Sequence, residues 1–201
     1  MVDNIYVGKL ITIDGPNGVG KSTLIEKLKE RLEIKEYQVY VTKEPTDTEL
    51  GKFVRSYAEE HGGISLACLV AADRYEHLKG EIIPQLKEGR IVITDRYILS
   101  SLILQRMDKV RSEFILDLNR EILKPDLQIA VFAEEEIIQK RLAEREKLTR
   151  FERGNQSSYE IKYLEDGVRL LKERGVEVLR IVNNNSLLKN VEKITTKIIR
   201  L

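Results

Sequence analysis

The chain has 201 residues, 42% hydrophobic and 33% charged, long enough for one domain with a sizeable core. Lys and Arg (34) balance Asp and Glu (33), and a net charge of +1 gives no electrostatic basis for a nucleic-acid or membrane-surface protein. No apolar run approaches the roughly 20 residues of a membrane span, and the start "MVDNIYVGKL" lacks the apolar core and cleavage site of a secretory signal, so the expectation is one cytoplasmic domain over residues 1–201.

Short β-branched runs alternate with longer helical patterns, which predicts an α/β fold of βαβ units around a five-stranded parallel sheet. The first strand is "KLITID" (Lys9 to Asp14), followed at once by "GPNGVGKST" (Gly15 to Thr23) and a helix over Ser22 to Leu32. That segment fits G-x-x-x-x-G-K-[ST] between a strand and a helix, the context the motif requires. Gly15, Asn17, Gly18, Val19 and Gly20 turn backbone N–H groups toward phosphate oxygens. Lys21 reaches the β- and γ-phosphates, Ser22 offers a hydroxyl to Mg²⁺, and Thr23 completes the motif. Nucleoside triphosphate binding is the predicted property. The guanine-reading N-K-x-D pattern is absent.

The second strand, "QVYVT" (Gln38 to Thr42), ends beside Glu44 and Pro45, and the proline marks a rigid turn. Helical patterns follow over Thr48 to Glu60 and Ser65 to Lys87, the latter kinked or divided at Pro84. Cys68 lies in the apolar run "SLACLVAA" without a partner cysteine and is expected to be a buried thiol. His61 and His77 have no metal-ligand spacing and are expected as surface or helix residues.

The third strand, "RIVIT" (Arg90 to Thr94), delivers Asp95 to the carboxyl edge of the sheet, where it can hold magnesium. Arg96 beside it offers a guanidinium fork suited to a phosphate. Ser101 and Gln105, four apart, share a face if helical. A helical pattern over Arg111 to Leu123 ends at Pro125, and the fourth strand is "LQIAVF" (Leu127 to Phe132). Helices over Glu134 to Glu146, Ser158 to Arg174 and Leu187 to Arg200 flank a fifth strand, "VEVLRIV" (Val176 to Val182). The polar stretch Glu144 to Ser158 is a candidate mobile loop.

These segments, in order, resemble the thymidylate kinase family of P-loop nucleoside monophosphate kinases: "GPNGVGKST", "KEPTDTELGKFVR", "CLVAADRYEH", "DRYILSSLILQ", "KPDLQIAV" and a lid ending in "RFE". The resemblance spans about Lys9 to Val182. It implies a three-layer P-loop fold, ATP and Mg²⁺, a homodimer, and phosphoryl transfer to thymidine monophosphate. Another pyrimidine or modified nucleoside monophosphate, or a silent nucleotide-binding homologue, is the alternative. By position, Arg96 resembles the arginine gripping the acceptor phosphate, and Arg55 another that orients the monophosphate. Arg74 resembles the base-reading arginine, Ser101 and Gln105 pocket-lining polar residues, and Arg141, Arg145 and Arg150 the arginines of a lid at about 141–157.

The chain departs from the family pattern around the acceptor nucleoside. Val70 stands where the family has a stacking phenylalanine, Leu104 where it has a tyrosine, and Asn17 where it has an acidic residue facing the sugar. In the lid, Thr149 stands where the family often has an aspartate.

Overall fold

A computed structural model describes residues 1–153 and 156–201. Its sheet is five-stranded and wholly parallel, in the order β2-β3-β1-β4-β5, with β1 Lys9–Asp14, β2 Val39–Lys43, β3 Ile91–Asp95, β4 Leu127–Phe132 and β5 Val178–Val182. β1 and β4 match the predicted spans. β2 and β3 are each shifted toward their C-terminal ends, so Asp95 itself closes β3, paired with Lys43 and Ile13 in the register.

Alternation along the strands fills two cores, one on each face of the sheet. Ile11, Ile13, Ile91, Ile93, Ile129 and Val131 pack against α1 (Lys21–Ile34), α7 (Glu135–Ala143) and α9 (Leu187–Ile198). Leu10, Val92, Ala130 and Phe132 face the other way, against α3 (Gly63–His77), α4 (Ile83–Lys87), α5 (Ile98–Met107), α6 (Ser112–Leu118) and α8 (Ser157–Lys172). The result is the three-layer α/β arrangement of a P-loop fold. Helix α5 crosses α8 at close range through Gly167, where a Cβ would stand 2.6 Å from Leu99 Cδ1.

The long third helical pattern is divided as Pro84 predicts. Between α3 and α4 the chain widens into a π-helical turn, Leu78–Ile82, and Pro84 sits near the start of α4. A proline lacks an N–H and crowds the carbonyl of the preceding turn, so regular i→i−4 pairing fails there. Helix α6 stops well short of Leu123, because Asn119 turns its amide back to the carbonyl of Ile115. The helix α2 (Glu49–Glu60) begins where Thr48 accepts from the N–H of Gly51.

One expectation is corrected, and His77 is a helix residue as expected. Cys68 is exposed: its neighbours Ala67 and Ala71 are buried, and one residue along a helix turns the side chain by about 100°, onto the outer face. His77 is buried at the end of α3, between Glu44 and Glu81.

Candidate active site

The carboxyl ends of β1, β2 and β3 open into one cleft of about 860 Å³. Every candidate residue from the sequence lines it except Gly15, Val19, Arg141 and Arg150. At its inner end is the turn from β1 into α1. Gly20 takes φ +93°, open to glycine without penalty, and delivers the chain into α1 with the N-terminal N–H groups of the helix facing the cleft. Lys21 is 6% exposed and donates to the carbonyls of Gly15 and Pro16, each at 3.0 Å. Its ammonium rests on the loop's own backbone. Burial, and then the Arg96 charge, lower its pKa to about 8.

Ser22 Oγ lies 3.5 Å from Asp95 Oδ2. Asp95 Oδ1 is buried without a partner. A hydroxyl beside a carboxylate with a free oxygen is a hard oxygen donor set, which fits Mg²⁺ held jointly with phosphates and water. No cluster of three or more His, Cys, Asp or Glu suited to a metal occurs among the described residues, and the Ser22–Asp95 pair does not depend on one.

Arg96 follows Asp95 with φ 76°, the left-handed region, which ends β3 abruptly. Its Nη2 donates to Asn17 Oδ1 at 2.7 Å and its Nη1 to Ser100 Oγ at 3.4 Å. Asn17, at the position where the family has an acidic residue facing the sugar, thus already has its amide oxygen engaged by Arg96. Asp14, to which the sequence reading assigned no role, is fully buried and anchors this corner. One of its oxygens accepts from the N–H groups of Tyr97 and Ser100, both at 2.9 Å, and the other from Gln128. Burial raises its pKa, opposed by those hydrogen bonds. The carboxylate acts as the cap that α5 needs at its start. Its one sequence signal is its place at the end of β1, immediately before Gly15.

Arg74 is 1% exposed. Its Nε donates to Glu44 at 2.8 Å, Nη1 to Asn119 at 2.7 Å, and Nη2 to the Tyr97 carbonyl and Ser101 Oγ. Glu44 lines the cleft and pairs with Arg74 and His77. Gln105, one turn beyond Ser101 on α5, is 4% exposed and its Oε1 has no partner. Val70 and Leu104 form aliphatic wall around this polar pair. Arg55 holds the Pro45 carbonyl at 2.5 Å and Asp47 at 3.1 Å, its guanidinium at the rim.

The three lid arginines separate. Arg145 lines the cleft and pairs with Glu152. Glu152 also closes a capping box with Thr149 over the 3₁₀ turn Arg150–Glu152. Arg141 instead donates to the carbonyls of Val19, Asn183 and Asn184. Arg150 forms a two-pronged pair with Asp108, 2.8 Å on each prong, and holds the Ala58 carbonyl. In this conformation carbonyls and a carboxylate have captured the guanidinium groups of Arg141 and Arg150, and neither residue lines the cleft. Lys147 and Phe151 line the cleft without having been singled out in the sequence. Residues 154 and 155 of the expected lid lie outside the described residues.

A family model for thymidylate kinase matches residues 13–194. The chain belongs to the thymidylate kinase family. A probable thymidylate kinase of Thermococcus onnurineus is 38% identical over 204 residues, covering 95% of each chain. One of Caldivirga maquilingensis is 37% identical over 191 residues, covering 90% of this chain and 92% of that protein. A thymidylate kinase of Caldicellulosiruptor saccharolyticus is 43% identical over 143 residues, 67% and 69% of the two chains. Membership makes the chain a phosphotransferase, and its family's P-loop is the turn described above.

Proposed function

We propose that this kinase transfers the γ-phosphoryl group of ATP to the 5′-phosphate of thymidine monophosphate, giving thymidine diphosphate and ADP. The observation that carries the choice of base is that Arg74, tied to Ser101, and Gln105, whose Oε1 has no partner, line the same cleft beside the aliphatic Val70 and Leu104. Arginine only donates, and Oε1 only accepts. With the base's position 4 toward Arg74 and position 3 toward Gln105, thymine and uracil present a carbonyl and an N–H that match, whereas cytosine in the same orientation sets an amino group against the guanidinium and a bare nitrogen against Oε1. Val70 and Leu104 then suit the apolar 5-methyl group.

Two polyanions must meet in line, so the residues work by neutralising charge and positioning, with no covalent intermediate. Lys21 leaves its two carbonyls for the β- and γ-phosphates, a short move within the same loop. Arg96 grips the acceptor phosphate, Arg55 orients it from the rim, and Arg145 with Lys147 adds positive charge from the lid and limits water. Ser22 and Asp95 would hold the magnesium ion, which neutralises phosphate charge when bound. The same reading takes residues 1–201 as one cytoplasmic domain that forms a homodimer through helices; α2 and α3 present exposed Phe53 and Ile64, and sedimentation velocity tests the dimer. No helix among the described residues is long and apolar enough to cross a membrane.

An assay of ADP release across thymidine, deoxyuridine, deoxycytidine, uridine, cytidine and guanosine monophosphates tests the reading. Thymidine monophosphate should give the highest kcat/KM. A cytidine nucleotide turning over as well as thymidine monophosphate would refute the base assignment, and ATP turnover with none of them would refute the kinase reading.

A further inference from the structure

Glu160 lies in the first turn of α8, in a part of the chain to which no role at the site was assigned. It is 2% exposed. Its Oε2 accepts from the backbone N–H of Asn17 at 2.8 Å, and its two oxygens stand 3.2 and 3.3 Å from Asn17 Nδ2. The other end of the same amide, Asn17 Oδ1, accepts from Arg96 at 2.7 Å.

A carboxylate only accepts, so the NH₂ of Asn17 must face Glu160, and Oδ1 is left to the guanidinium. One buried acid therefore decides which way the amide points. Burial pushes the Glu160 carboxyl up, while the two Asn17 bonds and the charges of Arg96 and Lys21 hold it down. The negative charge also favours the charged form of Lys21, which the neighbouring Arg96 charge opposes.

We propose that Glu160 is a positioning residue of the acceptor site: it fixes the Asn17 amide and the P-loop backbone at Asn17, and through them holds Arg96 for the acceptor phosphate. This rests on the reading of Arg96 as the acceptor-phosphate residue. Glu160 does not line the cleft, so it acts only through Asn17.

The test is steady-state kinetics of Glu160→Ala and Glu160→Gln with the best acceptor and with ATP varied separately. Glu160→Ala should lower kcat/KM for the acceptor about 100-fold, the scale of a small misplacement of a catalytic group, with the KM for ATP unchanged. Glu160→Gln keeps one oxygen for Asn17 and should recover a large part of that loss. Adding Asn17→Ala to Glu160→Ala should cost no more than the worse single change, since both break one relay. Equal losses toward ATP and acceptor, additive losses, or wild-type kinetics in Glu160→Ala would overturn the proposal.

Should Glu160→Ala fail to fold, Glu160→Gln alone decides, by the same split between the two substrates. Should the wild-type enzyme phosphorylate no monophosphate, the functional reading fails, and the relay is then read in the ligand-free protein. The Arg96 Nε–H resonance, assigned with Arg96→Lys, should shift in Glu160→Gln. An unmoved resonance would overturn the relay itself.

Discussion

The side of the cleft that we propose takes the donor is assembled almost entirely from one stretch, Gly15 to Thr23, with Asp95 reaching in from the neighbouring strand. The proposed acceptor side draws on α2, α3, the end of β3 and α5, and its central arginine is held by four partners far away in sequence. Local backbone geometry makes the first; a buried polar network makes the second. Such networks hold their geometry firmly when every member is satisfied and are costly when one is removed. The donor side should tolerate change around it, and the acceptor side should fail as a unit.

The sharpest way to separate the halves is Arg96→Ala. Turnover should fall by about 10³- to 10⁵-fold, the range seen for arginines in phosphoryl transfer, while ATP binding by calorimetry survives. Lost ATP affinity of similar size would mean the halves are not separable. Arg74→Met comes next. It leaves the Glu44 carboxylate buried beside His77 without its guanidinium, which costs about 3–5 kcal/mol when a buried pair is broken. Urea unfolding measures it, and a loss under about 1 kcal/mol, the level of an exposed pair, would show the network to be slack.

A smaller effect marks the donor side. Lys21 has a pKa of about 8 in the free protein, and bound phosphates favour its charged form, so ATP binding above that pH must take up a proton. Affinity should be level below pH 8 and then fall by up to about tenfold per pH unit. Calorimetry in buffers of different ionisation enthalpy measures the proton uptake; affinity independent of pH from 7 to about 9 would contradict the lowered pKa. The smallest change is Val70→Phe. A ring there should tighten thymidine monophosphate binding by about 1 to 3 kcal/mol through stacking on the base, and weaker binding would place Val70 off the face of the ring.

The same contrast explains what could be read in the chain. The P-loop is contiguous and its strand and helix adjoin it, so both the motif and its setting are visible in order. β1 and β4, continuous apolar runs, have visible ends for the same reason. Arg74 and Gln105 were identified through family resemblance, but their burial was not visible, because Glu44, Asn119 and Tyr97 converge on Arg74 only in three dimensions. Glu160 looked like an ordinary acid in a helix's first turn. Arg150 was read from its resemblance to a lid arginine, and that resemblance does not say which carboxylate will claim it; Asp108, at the end of α5, did.

Arg96, the proposed acceptor-phosphate residue, sits on an unfavourable backbone. A left-handed φ at a residue with a side chain costs about 1–2 kcal/mol, against the roughly 5–15 kcal/mol that keeps a domain folded. Selection for stability alone would put glycine at position 96. On the proposed reading, an arginine in that conformation is a stability cost set against activity, and a screen for thermal resilience alone would favour replacing it at the expense of turnover.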